Sequence, residues 1–374
     1  MWDGVIGQEQ AVGRLRRAVE RPSHAYVLAG PRGSGVLEAA RCFAAALVCP
    51  DGGCGVCNAC RRARSSRHPD VIEVEPAGTF VVVDQVEEMM KEAFTSPFEA
   101  ERKIIVVTEA DRMNEPAANK LLKTLEEPPA RTHFLLLSEA PDELLPTVRS
   151  RCQRIDFAAL SDADVAAALV AGGVDPAAAS AAARLASGRL DRAWSLAGAA
   201  GPGGGAGLDL AALRRAALEV AASLDGTGAP AALGAEAIQA VLTDKLAGLE
   251  KAQKAEAKAL EAELTEAGYP DRLARRLRRD LEQRQQRAAR RARTDALAEV
   301  VTALEWFYRD ALVAAPGAAS PEASAAVAAL DACAQARNVI VARTAINEAL
   351  LLEHLLVHLP PGANLKGAAR VAQW

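Results

Sequence analysis

The run Gly30-Pro31-Arg32-Gly33-Ser34-Gly35-Val36-Leu37 restricts the fold more than any other part of the chain. It follows a largely apolar stretch, His24-Ala25-Tyr26-Val27-Leu28-Ala29, and precedes Glu38 to Val48, which carries Phe43, Ala46 and Leu47 on its apolar side. An apolar run stopped by glycine predicts a buried strand, and the order strand, glycine turn, helix is the context of a phosphate-binding loop. A working loop reads G-x-x-x-x-G-K-[ST]: backbone N–H groups cradle the phosphates, Lys reaches the β/γ oxygens and Ser/Thr holds Mg²⁺. Here Val36 replaces the Lys and Leu37 the Ser/Thr. Gly30, Gly33 and Gly35 are therefore expected to form a vestigial phosphate loop in which bound nucleotide is not anticipated.

The flanking pattern extends the frame. Val71–Val74, Ile104–Val107 and Phe134–Ser138 read as further strands, with helices expected over 83–94 and over 114–127, the latter stopped by Pro128-Pro129. An earlier helix within residues 3–20 turns Val12, Leu15 and Val19 inward. Strands alternating with helices predict an α/β domain, a parallel sheet covered on both faces, over residues 1–158 with a cysteine-rich module at 49–60. From Ser161 the pattern is helical (163–171, 176–186, 189–197), which predicts a small all-α lid over 159–199. Residues 200–207 are glycine-rich and read as a linker. The remainder, 208–374, is expected to be an all-α domain with a long charged hairpin near 244–293. Its segments read as 242–267, a break at Gly268-Tyr269-Pro270, 271–293, 295–313, and an apolar helix or pair of helices over 325–359.

At 374 residues the chain has room for these parts, and its 50% hydrophobic but 4% aromatic composition favours helices packed on small side chains. A net charge of -4 means that any contact with a polyanion must rest on local patches. The first residues lack a basic region followed by an apolar one, and no apolar run approaches the ~18 residues of a membrane span. Seven cysteines, mostly clustered, argue against a secreted disulfide framework, so a soluble cytoplasmic protein with no membrane partner is expected.

Four of those cysteines, Cys49, Cys54, Cys57 and Cys60, follow the spacing C-x4-C-x2-C-x2-C with Gly52, Gly53 and Gly55 among them. Four thiolates over so short a loop can close a tetrahedron around Zn²⁺ and leave no open position, so a structural rather than catalytic metal is expected. The C-x2-C-x2-C part also resembles a fragment of an iron–sulfur pattern. After the strand 104–107 a nucleotide hydrolase needs an Asp for Mg²⁺ and a Glu for water; this chain has Thr108 and Glu109. Thr147-Val148-Arg149-Ser150-Arg151-Cys152 is a basic turn, and an Arg on a rigid element can supply charge to a phosphate bound by a neighbouring subunit. Residues 272–293 contain ten arginines around a stripe of Leu273, Leu277 and Leu281. Opposite charge on 250–266 favours an antiparallel hairpin, and contact with nucleic-acid phosphate or an acidic partner is the alternative.

These pieces together resemble the delta-prime family of the bacterial DNA polymerase III clamp loader, within the AAA+ clamp-loader ATPases. The resemblance is carried by Val5-Ile6-Gly7-Gln8, His24-Ala25-Tyr26, the glycine loop, the four-cysteine insertion, His68-Pro69-Asp70, Asn119-Lys120-Leu121-Leu122-Lys123-Thr124-Leu125-Glu126-Glu127-Pro128-Pro129 and Ser150-Arg151-Cys152. It covers residues 1 to about 160 well and the helical remainder only loosely. The resemblance implies an AAA+ module, a helical lid and a C-terminal collar used for oligomerisation. It implies that Arg151 is an arginine finger acting in trans and that the cysteines hold Zn²⁺. Ser138 takes the place of a polar sensor residue, and near Gly188, where the family reads roughly G-x-x-R, Asp191 falls where the Arg is expected.

The expected function is that of a non-catalytic structural subunit, without ATPase activity of its own, within the DNA polymerase III holoenzyme. Its expected partners are the gamma/tau and delta subunits, the sliding clamp and, as part of the complex, primed DNA. The alternatives are an active gamma/tau-type ATPase and a zinc-containing nucleic-acid-binding protein.

Overall fold

A computed structural model of the chain describes residues 1–76, 80–199, 201, 210–342 and 346–361. Its α/β part runs α1 (Glu9–Ala18), β1 (Ala25–Ala29), α2 (Val36–Val48), α3 (Asn58–Arg64), β2 (Val71–Val74), α4 (Val83–Ala93), β3 (Lys103–Val107), α5 (Glu115–Glu126), β4 (Thr132–Ser138), α6 (Pro146–Arg149) and β5 (Gln153–Asp156). The five strands form one sheet in the order β2-β3-β4-β1-β5, and every pairing is parallel. β1 lies between β4 and β5, with Tyr26 opposite Leu135 and Gln153.

The near-continuous apolar runs of β1, β3 and β4 are buried throughout because helices cover both faces of the sheet. Alternate residues supply two cores. On one face Tyr26, Leu28, Ile104, Val106, Leu135 and Leu137 pack against α1 and α2; on the other Ala25, Val27, Ile105, Val107, Phe134 and Leu136 pack against α4, α5 and α6. Tyr26 and Phe43 meet edge to face at 5.1 Å. The predicted parallel α/β architecture is thus present, and the C-terminal region is mostly helical. β5 has no counterpart in the sequence reading: along Gln-Arg-Ile-Asp only Ile155 is buried, so an edge strand of this kind carries almost no apolar pattern. α3, inside the cysteine segment, is likewise absent from that reading.

Helices α7 (Asp162–Ala171) and α8 (Pro176–Ala186) follow, capped by the side chains of Ser161 and Asp175, and then α9 (Leu190–Leu196). The glycine-rich stretch 200–207 lies outside the described residues apart from Gly201. Beyond it come α10 (Leu210–Ser223), α11 (Gly228–Ala267), α12 (Asp271–Ala314), α13 (Pro321–Ala342) and α14 (Glu348–Val357). Two expectations change here. α11 begins well before Leu242, and α12 runs unbroken through Thr294, which has no proline or glycine nearby to stop it. The predicted C-terminal apolar helix resolves into the pair α13 and α14.

By contacts the chain divides into two compact units. The first is Met1–Ala193 together with Ala257–Arg284; the second is Trp194–Glu256 and the residues from Gln285 onward. In the first unit, Leu260 and Leu264 of α11 pack on Leu273, Ala274, Leu277 and Leu281 of α12, and Arg278 binds Glu261 through both carboxylate oxygens at 2.7 and 2.8 Å. These are the two legs of an antiparallel hairpin turning at Gly268-Tyr269-Pro270. The second unit buries Ile238, Leu242, Val300, Leu304, Tyr308, Cys333 and Leu356, and encloses an Arg214–Glu299 ion pair at 3.1 Å.

Candidate functional sites

The glycine loop leaves β1 at the C-terminal edge of the sheet, with the Gly30 N–H donating to the Ser138 carbonyl of β4 at 3.0 Å. A Cβ on Gly30 would lie 2.7 Å from the Phe157 Cβ, so this position needs glycine for close packing of chain on chain. Gly33 has φ +76 and Gly35, the residue before α2, has φ +92. Gln8 pins the loop: its amide donates to the carbonyls of Ser34 (3.0 Å) and Ala158 (2.7 Å) and accepts from the Ala158 N–H (3.1 Å).

A carboxylate stands against this loop. The Leu190 N–H donates to the Gly33 carbonyl at 3.1 Å, and a Cβ on Gly33 would come within 2.4 Å of Asp191 Oδ1. Asp191 pairs with Arg189 at 2.8 Å and lies 3.8 Å from Arg32. Burial raises the Asp191 carboxyl, but Arg189 and Arg32 outweigh it and hold the group below its ordinary value. The loop thus faces an ionised acid at the point where the resemblance expects an arginine. Ser138 is buried at the end of β4, and its hydroxyl has no hydrogen-bond partner among the described residues.

At the end of β3 the Thr108 N–H and hydroxyl both point to the Val74 carbonyl, at 2.9 and 3.4 Å. Glu109, at φ +52, pairs with Arg112 at 3.2 Å. Among the described residues neither belongs to a cluster of metal-ligating side chains.

Arg151 sits in the turn between α6 and β5, half-buried. Its guanidinium donates to the Thr147 carbonyl at 3.0 Å and to Glu126, the last residue of α5, at 2.7 Å. Arg149 pairs with Asp142 at 2.5 Å and Arg154 with Asp156 at 2.7 Å. A cavity of about 360 Å³ opens beside this turn, lined by Val27, Pro141, Pro146, Arg149, Ser150 and Arg154. Burial pushes the neighbouring Cys152 thiol up to about 12, which makes it an inert packing group.

The sulfurs of Cys49, Cys54, Cys57 and Cys60 all lie within 4.8 Å of one another. Cys49 Sγ is 3.8 Å from that of Cys54 and 3.7 Å from that of Cys57. A tetrahedron with metal–sulfur arms of ~2.3 Å has edges of about 3.8 Å, so these separations fit a single Zn²⁺-sized ion. Backbone N–H groups already point at the sulfurs: Gly55 to Cys60, Cys57 to Cys54 and Cys60 to Cys57, each at 3.4 Å. For Cys49, burial raises the thiol, but N–H groups of Cys54, Gly53 and Asp51 outweigh it and bring it to about 7. Cys60 is fully buried and burial raises its thiol strongly, so without a cation its thiolate is unfavourable. Gly53 allows the tight fold: at φ +107, a Cβ there would meet Ala46 of α2 at 3.0 Å.

The arginine-rich segment is not an open basic face. Arg276 pairs with Glu92 at 2.7 Å and donates to the Pro69 carbonyl; Arg279 pairs with Glu88 at 2.6 Å; Arg284 donates to the Ser66 carbonyl at 3.2 Å. Beside them Arg62 of α3, 8% exposed, pairs with Glu99 and donates to the Tyr269 hydroxyl, while Glu263 stands 3.8 Å from it and pairs with Arg67 at 3.1 Å. His68 belongs to the same knot. Its Nδ1 accepts from the Asp70 N–H and its Nε2 donates to Glu99 at 3.0 Å. Burial first, and then Arg62, pull the imidazole down to about 4, so it is neutral. The Asp70 carboxylate receives the N–H groups of Phe98, Glu99 and Ala100 at 2.5, 2.9 and 2.9 Å, which fixes the loop that carries Glu99. Of this network only His68-Pro69-Asp70 and the charge balance of the hairpin are legible in sequence.

Comparison with known proteins follows the same boundaries. Residues 7–161 match the family model described as DNA polymerase III, delta subunit. A DNA polymerase III subunit delta' of Bacillus subtilis is 37% identical over 160 residues, covering 42% of this chain and 49% of that protein. One from Pseudomonas aeruginosa is 42% identical over 136 residues, covering 35% of this chain and 42% of that protein. A DNA polymerase III subunit tau of Bacillus subtilis is 36% identical over 162 residues, covering 42% of this chain and 29% of that protein. The match spans half or less of the length of these relatives. No helix among the described residues is long and apolar enough to cross a membrane. The sheet, the loops at its C-terminal edge and the cysteine module lie in the matched segment, so over residues 7–161 this chain is similar to DNA polymerase III delta-type subunits.

Proposed function

We propose that this chain is a delta-prime-type clamp-loader subunit that does not turn over ATP itself but completes the ATP site of a neighbouring gamma/tau-type subunit with Arg151. The observation that carries this reading is the delta-prime match over a loop that has Val36 and Leu37 in place of Lys and Ser/Thr. Asp191, ionised against Gly33 and held by Arg189 and Arg32, supports it further, because a polyphosphate entering there meets like charge. Thr108 is engaged with Val74 and offers no carboxylate to Mg²⁺.

Arg151 acts through position. The Thr147 carbonyl and Glu126 hold its guanidinium at the protein edge; on assembly a γ-phosphate of the adjacent subunit takes the place of Glu126, and the fork stabilises charge that develops on the transferred group. The chain thereby serves in a ring with gamma/tau and delta subunits that places a sliding clamp on primed DNA, within the cytoplasmic replisome. Cys49, Cys54, Cys57 and Cys60 hold Zn²⁺, whose chemistry here is to cross-link the loop between α2 and α3.

Arg151→Ala in the reconstituted complex is the test: hydrolysis at the site facing this subunit drops by about 10³-fold, and wild-type turnover sinks the assignment. The tau relative favours a second reading, an active motor subunit. Purified chain that hydrolyses ATP on its own supports that reading and ends the first. The nucleic-acid-binding reading predicts tight, salt-sensitive DNA binding that disappears on neutralising Arg275, Arg276, Arg278 and Arg279. Because Arg276, Arg278 and Arg279 are already paired with carboxylates, weak binding is expected.

A further inference from the structure

The four-cysteine module and the tip of the charged hairpin meet at Arg62. This residue lies on α3, two positions after Cys60, on the helix whose N-cap is Cys57. It is 8% exposed, and its guanidinium is held by Glu99 and by the Tyr269 hydroxyl of the hairpin tip, with the Glu263 carboxylate of the same tip 3.8 Å away. Arg67, just beyond α3, binds Glu263 as well, and the Tyr269 ring packs edge to face on Phe98 at 5.6 Å. The turn that leaves α3 gives two carbonyls to the hairpin, Ser66 to Arg284 and Pro69 to Arg276. Apart from the Phe98 contact, each of these anchors uses a group of α3 or of the turn that follows it.

At seven residues, α3 is too short to be stable as an isolated helix. Its first turn is fixed by the cysteines: the Cys57 sulfur accepts the Cys60 N–H, and Cys60 is buried against the Ala45 carbonyl of α2. A metal that draws the four sulfurs together fixes α3 on α2 and so fixes the buried guanidinium. We propose that the partner of the four-cysteine module is the chain's own hairpin tip, residues 257–284, and that metal occupancy and hairpin docking stabilise each other. This rests on the reading of Cys49, Cys54, Cys57 and Cys60 as a Zn²⁺ site. Linkage makes the coupling reciprocal: metal tightens the hairpin, and the docked hairpin tightens the metal.

The experiment uses the full chain, first with its zinc content measured. Hydrogen exchange is compared before and after metal removal by a chelator under reducing conditions. Peptides covering 58–64 and 257–284 are expected to exchange at least about tenfold faster without metal, with peptides of β1, β3 and β4 unchanged. The reciprocal arm keeps all four cysteines: the double variant Glu263→Gln, Tyr269→Phe is expected to release zinc to a colorimetric chelator about tenfold faster than wild type. If 58–64 loosens while 257–284 keeps its protection, or the double variant releases zinc at the wild-type rate, the coupling is overturned and the zinc site survives. Purified chain without zinc overturns both.

Discussion

Helix α2 carries a loop of ligand-binding type at each end, and the two have opposite fates. At its N-terminus lies the glycine loop, and the space against Gly33 is taken by the Asp191 carboxylate with Arg189 and Arg32 around it. At its C-terminus four sulfurs lie within 4.8 Å of one another, two of the separations at 3.7 and 3.8 Å, with N–H groups already aimed at them. Backbone geometry alone does not make a site. The glycine loop has an internal anion, Asp191, against Gly33, whereas the cysteine loop gathers four sulfur donors that could hold a cation.

The sharpest way to break this contrast is at the cysteine end. Cys60→Ser is expected to abolish stoichiometric zinc and to destabilise the chain by about 3 kcal/mol or more, because Cys60 is fully buried and structural metal binding is folding free energy. Cys54 is exposed, so Cys54→Ser should weaken zinc with a smaller fall in Tm; metal analysis and thermal melts read both. Equal melting of the two variants and wild type would dismiss the structural role.

Acid tests the knot next to that module. The folded-state His68 value is about 4, below the ordinary 6.5, so between those limits the unfolded chain binds the extra proton. The contribution of His68 to stability is therefore full above pH ~6.5 and declines as pH falls toward 4, by roughly 1–3 kcal/mol. Denaturant midpoints across pH 4–7 for wild type and His68→Gln check it: the variant should show the shallower decline.

At the glycine end the expected effect is smaller and opposite in kind. Asp191→Ala removes the internal anion while Arg32, Arg189 and the loop N–H groups remain, so inorganic tripolyphosphate should raise the Tm of the variant and not of wild type. At about tenfold excess over Kd the gain is about 1.4 kcal/mol. A variant as indifferent to tripolyphosphate as wild type would mean that the loop, and not Asp191, excludes the anion. The smallest effect on stability belongs to the Arg151–Glu126 pair. It is partly exposed, 36% and 45% for the two side chains, so Glu126→Gln should change stability by less than about 1 kcal/mol. The same variant frees the guanidinium and should shift the ATPase of the assembled complex measurably more than it shifts Tm.

What the sequence determined by itself was local and periodic. The runs 25–29, 104–107 and 134–138 are apolar on consecutive residues because both faces of the sheet are covered, and the glycine and cysteine spacings lie within a dozen residues. The two legs of the charged hairpin were legible for the same reason: Leu273, Leu277 and Leu281 recur every fourth residue beside a stretch of opposite charge. Only the tertiary structure decided where charges find partners. Arg62 with Glu263, Arg276 with Glu92 and Arg279 with Glu88 join positions about 200 residues apart, and on its own helix each reads as a solvated charge. Gln-Arg-Ile-Asp became a strand because β1 offered it a free edge. Asp191 is a common surface residue until α9 brings it onto Gly33. Periodicity encodes which face is buried; it carries no information about which distant ion sits opposite, and in this chain those ions stand against the glycine loop and hold the hairpin.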